Sequence, residues 1–355
     1  MYLYNEEFWV GKRVLITGHT GFKGSWLTSV LLKLGATVIG ISNDEVSSPS
    51  LFGVLNLGDK ISDYRCDIAD VAAVTRVLQK EKPDVIFHLA AQALVRKSIS
   101  QPFETFRVNA LGMASVLEAL SNYGKIVPTV LITSDKVYEN REWYWGYKET
   151  DELGGKDPYS SSKACAELVA QSYLRSIFCQ DSKYFGIARA GNVIGGGDWA
   201  ADRLIPDCYR SWSEGKEVHI RMPNATRPWQ HVLEPISGYI ALAERLSLNP
   251  FDNFESFNFG PDFQTASTVG EVVAYLGKDR SVKIEEETSS EAKLLALNCD
   301  KAKFLLGWFP QFDQKSTLDW TRNWYDCYYS NGNVVDLTNE QIEAYLDKRG
   351  LRCII

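Results

Sequence analysis

The strongest chemical candidates in the sequence are a tyrosine and a lysine, Tyr159 and Lys163, near the start of a predicted helix that runs to about residue 174. They are four residues apart, so both side chains lie on one face of that helix. A tyrosine needs about 4 kcal/mol to ionise at neutral pH, because its ordinary pKa is about 10. An ammonium about 5 Å away supplies roughly 3 kcal/mol at an effective dielectric of about 20. The pair is therefore a candidate general base, although this spacing is common and has little weight alone.

A polar cluster of three residues, Ser134, Asp135 and Lys136, lies in the last part of the predicted strand 127–138. Ligands of open α/β sheets collect at the carboxyl ends of the strands. The three residues are therefore catalytic candidates by position, and they give weight to the tyrosine–lysine pair.

A glycine-rich turn near the N-terminus indicates which kind of cofactor these candidate residues work with. Gly18, Gly21 and Gly24 stand at i, i+3 and i+6 between a strand-length apolar run and a predicted helix, 26–34. Glycine lets the backbone approach a ligand closely, and the following helix start offers N–H groups to a pyrophosphate. The arrangement indicates a dinucleotide site at the head of a parallel α/β sheet. The cofactor-binding candidates of this turn are Gly18, Thr20, Gly21, Phe22, Lys23 and Gly24.

The identity of the dinucleotide follows from the end of the second predicted strand, 36–42. An acidic residue about 20 positions past the glycines normally binds the adenosine ribose. Ser42 stands at the strand end, and Asp44 follows in a polar turn, where it is either a ribose ligand or simply a turn residue. No Arg or Lys nearby could bind a 2′-phosphate, so NAD is favoured over NADP, with modest affinity.

Three further segments contribute to the predicted cofactor site. Asp67 follows a predicted strand and could cap the next helix or bind an adenine amine. The strand 83–92 ends in small residues such as Ala90 and Ala91, which leave room for a cofactor, and Leu89, Ala90 and Ala91 are cofactor-binding candidates. Asn109 lies inside a predicted helix, where it is either solvated or holds a water or a carbonyl near the active site.

The composition restricts the partners and the location. The 355-residue chain has a net charge of −7 and no basic run, which disfavours nucleic acid. No apolar segment reaches the roughly 18 residues of a membrane span, and the N-terminus is short and polar, so neither a membrane partner nor a signal peptide is expected. The seven cysteines include no Cys-x-x-Cys pair, and there are four histidines. We therefore expect a cytoplasmic protein with reduced thiols and no metal.

The order of predicted elements indicates an α/β fold, a doubly wound parallel sheet of the Rossmann type with a smaller mixed lobe. Strands and helices alternate through residues 1–190, the predicted NAD-binding domain. A strand near 255–262 is expected to return to that sheet. Residues 191–355 are predicted to form mainly a substrate lobe, with the active site in the cleft between the two parts.

The glycine turn, Ser134 and the pair Tyr159 and Lys163 together resemble the extended short-chain dehydrogenase/reductase superfamily, in its nucleotide-sugar branch. The resemblance spans nearly the whole chain. Within the branch, segments 11–26 and 227–232 and the pair Asp135-Lys136 look like those of 4,6-dehydratases that act on CDP-glucose. Relatives that act on dTDP- and GDP-sugars have Asp-Glu at that pair.

This resemblance implies a hydro-lyase that uses bound NAD to carry a hydride from sugar C4 to C6 while water is lost across C5–C6. It implies that Tyr159, supported by Lys163, is the base for the C4 hydroxyl and that Ser134 donates to the C4 oxyanion. Asp135 would protonate the C6 hydroxyl, which requires burial to raise its pKa. Lys136 would be either a neutral base for the C5 proton or a cation beside the enolate. The alternatives are a different nucleotide-sugar 4,6-dehydratase, a 4-epimerase, a decarboxylase and a non-catalytic dinucleotide sensor.

The resemblance also implies how the nucleotide sugar is bound. Arg227 and Asn192 would bind the pyrophosphate, and backbone groups of 218–220 would pair with the pyrimidine. The substrate-binding candidates are Asn192, Arg203, Leu204, Val218, His219, Ile220 and Arg227.

The same resemblance implies a homodimer in the bacterial cytosol that feeds dideoxysugars to surface polysaccharide such as the lipopolysaccharide O-antigen. The dimer would form through a bundle of the helices that contain Asn109 and Tyr159. The residues Leu117, Leu120, Leu168 and Val169 fit an outer face of these helices or an ordinary core.

Overall fold

A computed structural model describes residues 7–45, 47–220, 222–262, 267–278, 280, 282–284 and 294–350. Thirteen strands are found within these ranges. They are β1 Arg13–Thr17, β2 Thr37–Ser42, β3 Ser62–Arg65, β4 Val85–His88, β5 Thr129–Ile132, β6 Phe185–Ala190, β7 Val193–Ile194, β8 Val218–Ile220, β9 Thr226–Arg227, β10 Gln230–His231, β11 Glu255–Phe259, β12 Ser267–Thr268 and β13 Val282–Ile284.

The same ranges contain thirteen α-helices. They are α1 Phe22–Lys33, α2 Leu51–Val54, α3 Val71–Glu81, α4 Val95–Ser100, α5 Pro102–Phe106, α6 Gly112–Tyr123, α7 Pro158–Ser176, α8 Leu204–Ser213, α9 Leu233–Leu248, α10 Val269–Gly277, α11 Asp300–Leu306, α12 Gln314–Tyr329 and α13 Val334–Arg349. A π-helical turn, Arg107–Leu111, joins α5 to α6, and a 3₁₀ turn, Asp135–Val137, follows β5. None of the helices in the described part of the chain has the length and apolar character that a membrane span requires.

Seven strands form one parallel sheet in the order β11-β6-β5-β4-β1-β2-β3. The order reverses between β1 and β4, which is the topological switch of a doubly wound sheet and the usual place for a ligand. The predicted fold class is confirmed, including the returning strand, which is β11 beside β6.

Helices cover both faces of the sheet, so the residues of a central strand are buried whichever way they point. Along β1, Val14 and Ile16 belong to one hydrophobic cluster and Leu15 belongs to the other. The first cluster includes α1 and α9, and the second includes α3, α6 and α7. The sheet is thereby fixed from two sides, and its carboxyl edge is a rigid base for a site.

Two boundaries differ from the sequence prediction, and both matter for the site. Helix α1 begins at Phe22 instead of residue 26, so Lys23 and Gly24 belong to its first turn. Strand β5 ends at Ile132, and the polar cluster therefore lies in and before the 3₁₀ turn that follows the strand.

The helices of the predicted dimer bundle expose only part of the expected face. Leu117 and Leu120 are buried in the core of this chain, whereas Leu168 is 54% exposed. Two further large apolar residues of the same region, Phe103 and Leu111, are 79% and 58% exposed.

The residues after β6 form smaller units around the sheet. Three two-stranded pairs, β7 with β10, β9 with β12 and β8 with β13, lie in this part of the chain. Helix α9 returns to the large sheet, where Ile236 packs in the same cluster as Ala188 of β6. The division of function between residues 1–190 and 191–355 stays a prediction.

Candidate active site

A cavity of about 1090 Å³ opens at the carboxyl edge of the sheet, beside the switch point between β1 and β4. The segments after β1, β4, β5 and β6 line one side of it, and the segments around α8 and β9 line the other. Its volume lies at the upper end of the range typical of small-molecule sites.

The glycine turn forms one end of this cavity. All six predicted cofactor residues of the turn line it, as do Leu89, Ala90 and Ala91. A Cβ atom on Gly24 would come within 2.1 Å of the Gly18 carbonyl oxygen, so the turn can be this tight only with glycine. The turn leads directly into the first turn of α1, whose backbone N–H groups can bind a pyrophosphate. These residues fit a dinucleotide.

A group of cationic side chains surrounds this turn. The pKa of Lys23 is lowered to about 7, mainly by burial and also by the positive charges of Arg203 and Lys163, while Asp135 opposes the shift. Two cations and a partly charged lysine therefore lie near one carboxylate, a charge balance that favours an anionic ligand.

The adenosine end of the predicted cofactor site contains Ser42, Asp44 and Asp67, which all line the cavity. The Ser42 hydroxyl is 2.7 Å from that of Thr20. Asp67 does not cap helix α3, because Asp70 occupies the N-cap position and accepts from the Ala73 N–H. The alternative adenine contact of Asp67 and the ribose contact of Asp44 stay predictions.

The catalytic candidates Ser134, Asp135, Lys136, Tyr159 and Lys163 are brought together and all line the cavity. The Ser134 hydroxyl donates to Asp135 Oδ1 at 2.9 Å and accepts from the backbone N–H of Lys136 at 3.3 Å. The carboxyl group of Asp135 is buried. An acid, a hydroxyl donor and a phenol therefore face the same space.

Burial dominates the titration of the Tyr159 phenol. Its pKa is raised, because burial outweighs the hydrogen bond with Ser134, and Asp135 adds to the rise. Burial lowers the pKa of Lys163 to about 8, and the negative charge of Glu167 opposes this shift. At neutral pH Lys163 is thus mainly charged, and its support for the ionisation of Tyr159 stays a prediction.

Asn109 belongs to a buried network that joins the segment after β4 to helix α7. Its amide donates to the Gln92 carbonyl at 3.0 Å and to the Ser162 hydroxyl at 2.8 Å, and its oxygen accepts from the Gln92 N–H at 2.8 Å. Ser162 in turn donates to the Tyr159 carbonyl at 2.7 Å. The prediction that this interior asparagine holds a carbonyl is confirmed.

The lobe opposite the sheet contributes Asn192, Arg203, Leu204 and Arg227 to the cavity. Asn192 has a positive φ of 52°, which asparagine tolerates better than most residues. Arg203 pairs with Asp198 at 2.9 Å.

The predicted pyrimidine segment Val218, His219 and Ile220 does not line the cavity. It is strand β8, whose backbone pairs with β13. Val218 and Ile220 are buried in a small separate cluster, and His219 is exposed. A contact of this segment with the nucleotide stays a prediction.

Three residues of the site were not predicted from the sequence. Asp198 follows a run of three glycines. Such a run is typical of a tight turn near a ligand and could have indicated that Asp198 belongs to the site. Tyr325 lines the cavity and donates to the Asp198 carbonyl at 2.6 Å, although it comes from α12. Glu167 lies four residues after Lys163, a spacing that places it on the same helix face.

Comparison with known proteins identifies the family. The family model for GDP-mannose 4,6 dehydratases matches residues 15–320. The chain belongs to this family. A CDP-glucose 4,6-dehydratase of Salmonella typhimurium is 44% identical over 97% of this chain and 99% of its own length. A UDP-glucose 4-epimerase of Mycoplasma pneumoniae is 26% identical over 90% of this chain and 98% of its own. The predicted membership of the nucleotide-sugar branch is confirmed.

Solved structures of such dehydratases and epimerases share the fold. A dTDP-glucose 4,6-dehydratase of Streptomyces venezuelae with NAD and TYD bound superposes with a TM-score of 0.78. It is 23% identical and covers 90% of this chain and 98% of that one. A UDP-glucose 4-epimerase of Brucella ovis in complex with NAD has a TM-score of 0.74, with 19% identity over 88% of this chain and 97% of that one.

Proposed function

We propose that this protein is a CDP-glucose 4,6-dehydratase, which converts CDP-D-glucose to CDP-4-keto-6-deoxy-D-glucose and water. The observation that carries the proposal is the position of Asp135, a buried acid bonded to Ser134 in the same cavity as Tyr159 and Lys163. A dehydratase needs such an acid for the leaving hydroxyl, whereas a 4-epimerase does not. The 44% identity with the Salmonella typhimurium enzyme supports CDP-glucose as the substrate.

NAD is the proposed cofactor, since the glycine turn and the first turn of α1 fit a dinucleotide. Gly18–Gly24 would hold the pyrophosphate, and Leu89, Ala90 and Ala91 would form the floor beneath the cofactor. When bound, NAD supplies a hydride acceptor for sugar C4 that can also return the hydride to C6. The hydroxyl pair of Ser42 and Thr20 stands where an acidic ribose ligand is usual, so we expect modest NAD affinity.

Tyr159 is the proposed base for the C4 hydroxyl. Its phenol starts protonated, because burial raises its pKa. Ionisation therefore has to be supported by the groups around it, the hydrogen bond with Ser134 and the positive charge of Arg203. Lys163, mainly charged at neutral pH, adds a cation on the same helix face. Ser134 can also donate to the developing C4 oxyanion.

Asp135 is the proposed acid for the C6 hydroxyl, since it is buried and already accepts a hydrogen bond from Ser134. Lys136 has two roles compatible with its place in the cavity wall, a base for the C5 proton or a cation beside the enolate. Lys136→Arg separates them, because arginine keeps the charge but cannot act as a base.

The nucleotide sugar is proposed to lie across the lobe side of the cavity. Arg203 and Arg227 would bind the pyrophosphate with help from Asn192. On this proposal residues 1–190 and β11 hold NAD, and residues 191–355 mainly hold the nucleotide sugar.

We also propose a homodimer through α7 and the helical segment from α5 to α6, since Phe103 on α5, Leu111 in the π-helical turn and Leu168 on α7 expose apolar side chains. The free cysteines of the described ranges are consistent with a reducing, cytoplasmic compartment.

Incubation of the purified protein with CDP-glucose and NAD tests the function. We expect a 4-keto-6-deoxy sugar nucleotide and no net reduction of NAD. Parallel incubations with dTDP-glucose and GDP-glucose test the choice of base. Absence of a 4-keto product with all three nucleotides would contradict the dehydratase proposal, and interconversion at C4 alone would favour an epimerase.

A further inference from the structure

A fully buried carboxylate, Glu167, lies directly behind the catalytic segments. Its carboxyl group accepts from the Thr133 hydroxyl at 2.6 Å and from Arg189 Nε at 2.8 Å. The side chains of Glu167 and Arg189 are 0% and 1% exposed. Such a pair is costly to bury and is often no more stabilising than apolar residues of the same size. Its place beside the active site therefore calls for a functional explanation.

The contacts of Glu167 join three elements of the site. Glu167 is on α7, one turn after Lys163, and Thr133 is the residue immediately before Ser134. Arg189, on β6, also donates to the Tyr138 hydroxyl at 2.7 Å, just beyond the 3₁₀ turn that contains Asp135. The segment 133–138 is thus held on both sides of its catalytic residues by groups that meet at Glu167 and Arg189.

We propose that Glu167 is a positioning residue, which aligns the segment with Ser134 and Asp135 against α7 and places a negative charge one helical turn from Lys163. This inference rests on the proposed function. Glu167 does not line the cavity and so does not touch the substrate. Its bond with Thr133 positions Asp135 and Ser134, and its negative charge favours the charged form of Lys163.

The charge of Lys163 depends on few neighbours in the described part of the chain. Glu167 lies one helical turn after Lys163 on α7 and Tyr159 one turn before it, and the charge of Lys163 lowers the pKa values of Lys23 on α1 and His88 on β4. His88 is neutral near pH 7, because burial and Lys163 lower its pKa to about 3, and Lys23 is only partly charged there, since its pKa is about 7. Arg189 is the ion-pair partner of Glu167 and adds a positive charge beside it. Glu167 is the group that opposes the loss of the proton from Lys163. The charges of Asp135 and Arg203 in turn shift the pKa values of Lys23 and Tyr159.

The two roles are tested by two variants. Glu167→Gln keeps an acceptor for Thr133 but removes the charge, so we expect the pH at which kcat/KM levels off, which reflects the pKa of Lys163, to move about one pH unit lower. Thr133→Val removes only the hydroxyl, and we expect kcat to fall about tenfold with KM for CDP-glucose within about twofold. Glu167→Asp keeps the charge and should retain the pH profile of the wild-type protein.

Two matched variants control for stability. Glu244→Gln removes another buried carboxylate, which accepts from Trp9 Nε1 at 2.7 Å far from the cavity. Thr129→Val removes another buried hydroxyl at the opposite end of β5. Both should leave the pH profile and kcat unchanged.

The outcomes separate this inference from the proposed function. If the wild-type protein forms no 4-keto product, the proposed function fails. If it forms the product but folded Glu167→Gln keeps the wild-type pH profile, or Thr133→Val keeps the wild-type kcat, Glu167 is not a positioning residue. Thr133→Val decides the alignment role even where Glu167→Gln does not fold, because it leaves the ion pair with Arg189 in place.

Discussion

The two sides of the cavity are built in different ways. On the sheet side, the candidate residues follow the ends of β1, β3, β4 and β5 or lie near the start of α7, and all of them reach the cavity. On the lobe side, Arg203 and Arg227 depend on a loop and a two-residue strand, and the segment 218–220 lies away from the cavity. A parallel sheet brings the carboxyl ends of its strands to one edge whatever their sequence. The positions of residues in the lobe depend instead on contacts with residues far away in the chain.

The sharpest test of the sheet side is Asp135→Asn. Asparagine keeps the size and the bond to Ser134 but cannot supply a proton, so we expect dehydration of CDP-glucose to slow about a thousandfold. The measurement is formation of the 4-keto product by folded protein. Asp84→Asn is a matched control, since Asp84 precedes β4 at the opposite edge of the sheet, where it accepts from the Arg13 N–H. An unchanged rate in Asp135→Asn would remove the reason for preferring a dehydratase.

The lobe side is tested by Arg203→Met, which removes a cation from the cavity. Loss of a charged hydrogen bond costs roughly 2 kcal/mol, so KM for CDP-glucose should rise about thirtyfold with a smaller effect on kcat. Because the variant leaves Asp198 without its ion-pair partner, Asp198→Asn/Arg203→Met is measured beside it. Arg280→Met removes a surface ion pair with Asp326 and serves as the control. A normal KM in both variants would exclude Arg203 from substrate binding.

The pH dependence tests the electrostatics of the sheet side. The pKa of Lys163 is lowered to about 8, so the lysine is charged below that pH and loses its charge above it. If catalysis needs the charged lysine and the ionised phenol together, kcat/KM should rise about tenfold per pH unit up to about pH 8 and level off above it, because the pKa of Tyr159 lies above that of Lys163. Circular dichroism over the same range controls for unfolding. A profile that keeps rising through pH 8 to pH 10 would contradict the role of Lys163.

The smallest effect is expected for His219→Ala. Because His219 is exposed and does not line the cavity, KM for CDP-glucose should change by less than about twofold. Initial rates measured over a range of CDP-glucose concentrations give this KM. A large rise in KM would instead support the predicted pyrimidine contact and weaken the contrast between the two sides.

The fold class and the grouping of the catalytic candidates around one cavity were accessible from the sequence because their signals are local. The glycines repeat every three residues, and the Tyr159–Lys163 spacing is one helical turn. The sequence was less informative about electrostatics. The prediction that Lys163 and the positive nicotinamide support ionisation of Tyr159 left out the cost of burying the phenolate, which is the largest influence on the pKa of Tyr159 in the folded chain.

The sequence by itself determined that a dinucleotide turn, a polar strand end and a tyrosine–lysine pair belong to one doubly wound sheet. Only the tertiary structure decided which other groups meet them. Arg189 reaches Glu167 from 22 residues away, and Tyr325 reaches Asp198 from 127 residues away. The physical reason is that turns and helix faces depend on neighbouring residues, whereas buried polar groups must find partners wherever packing brings them.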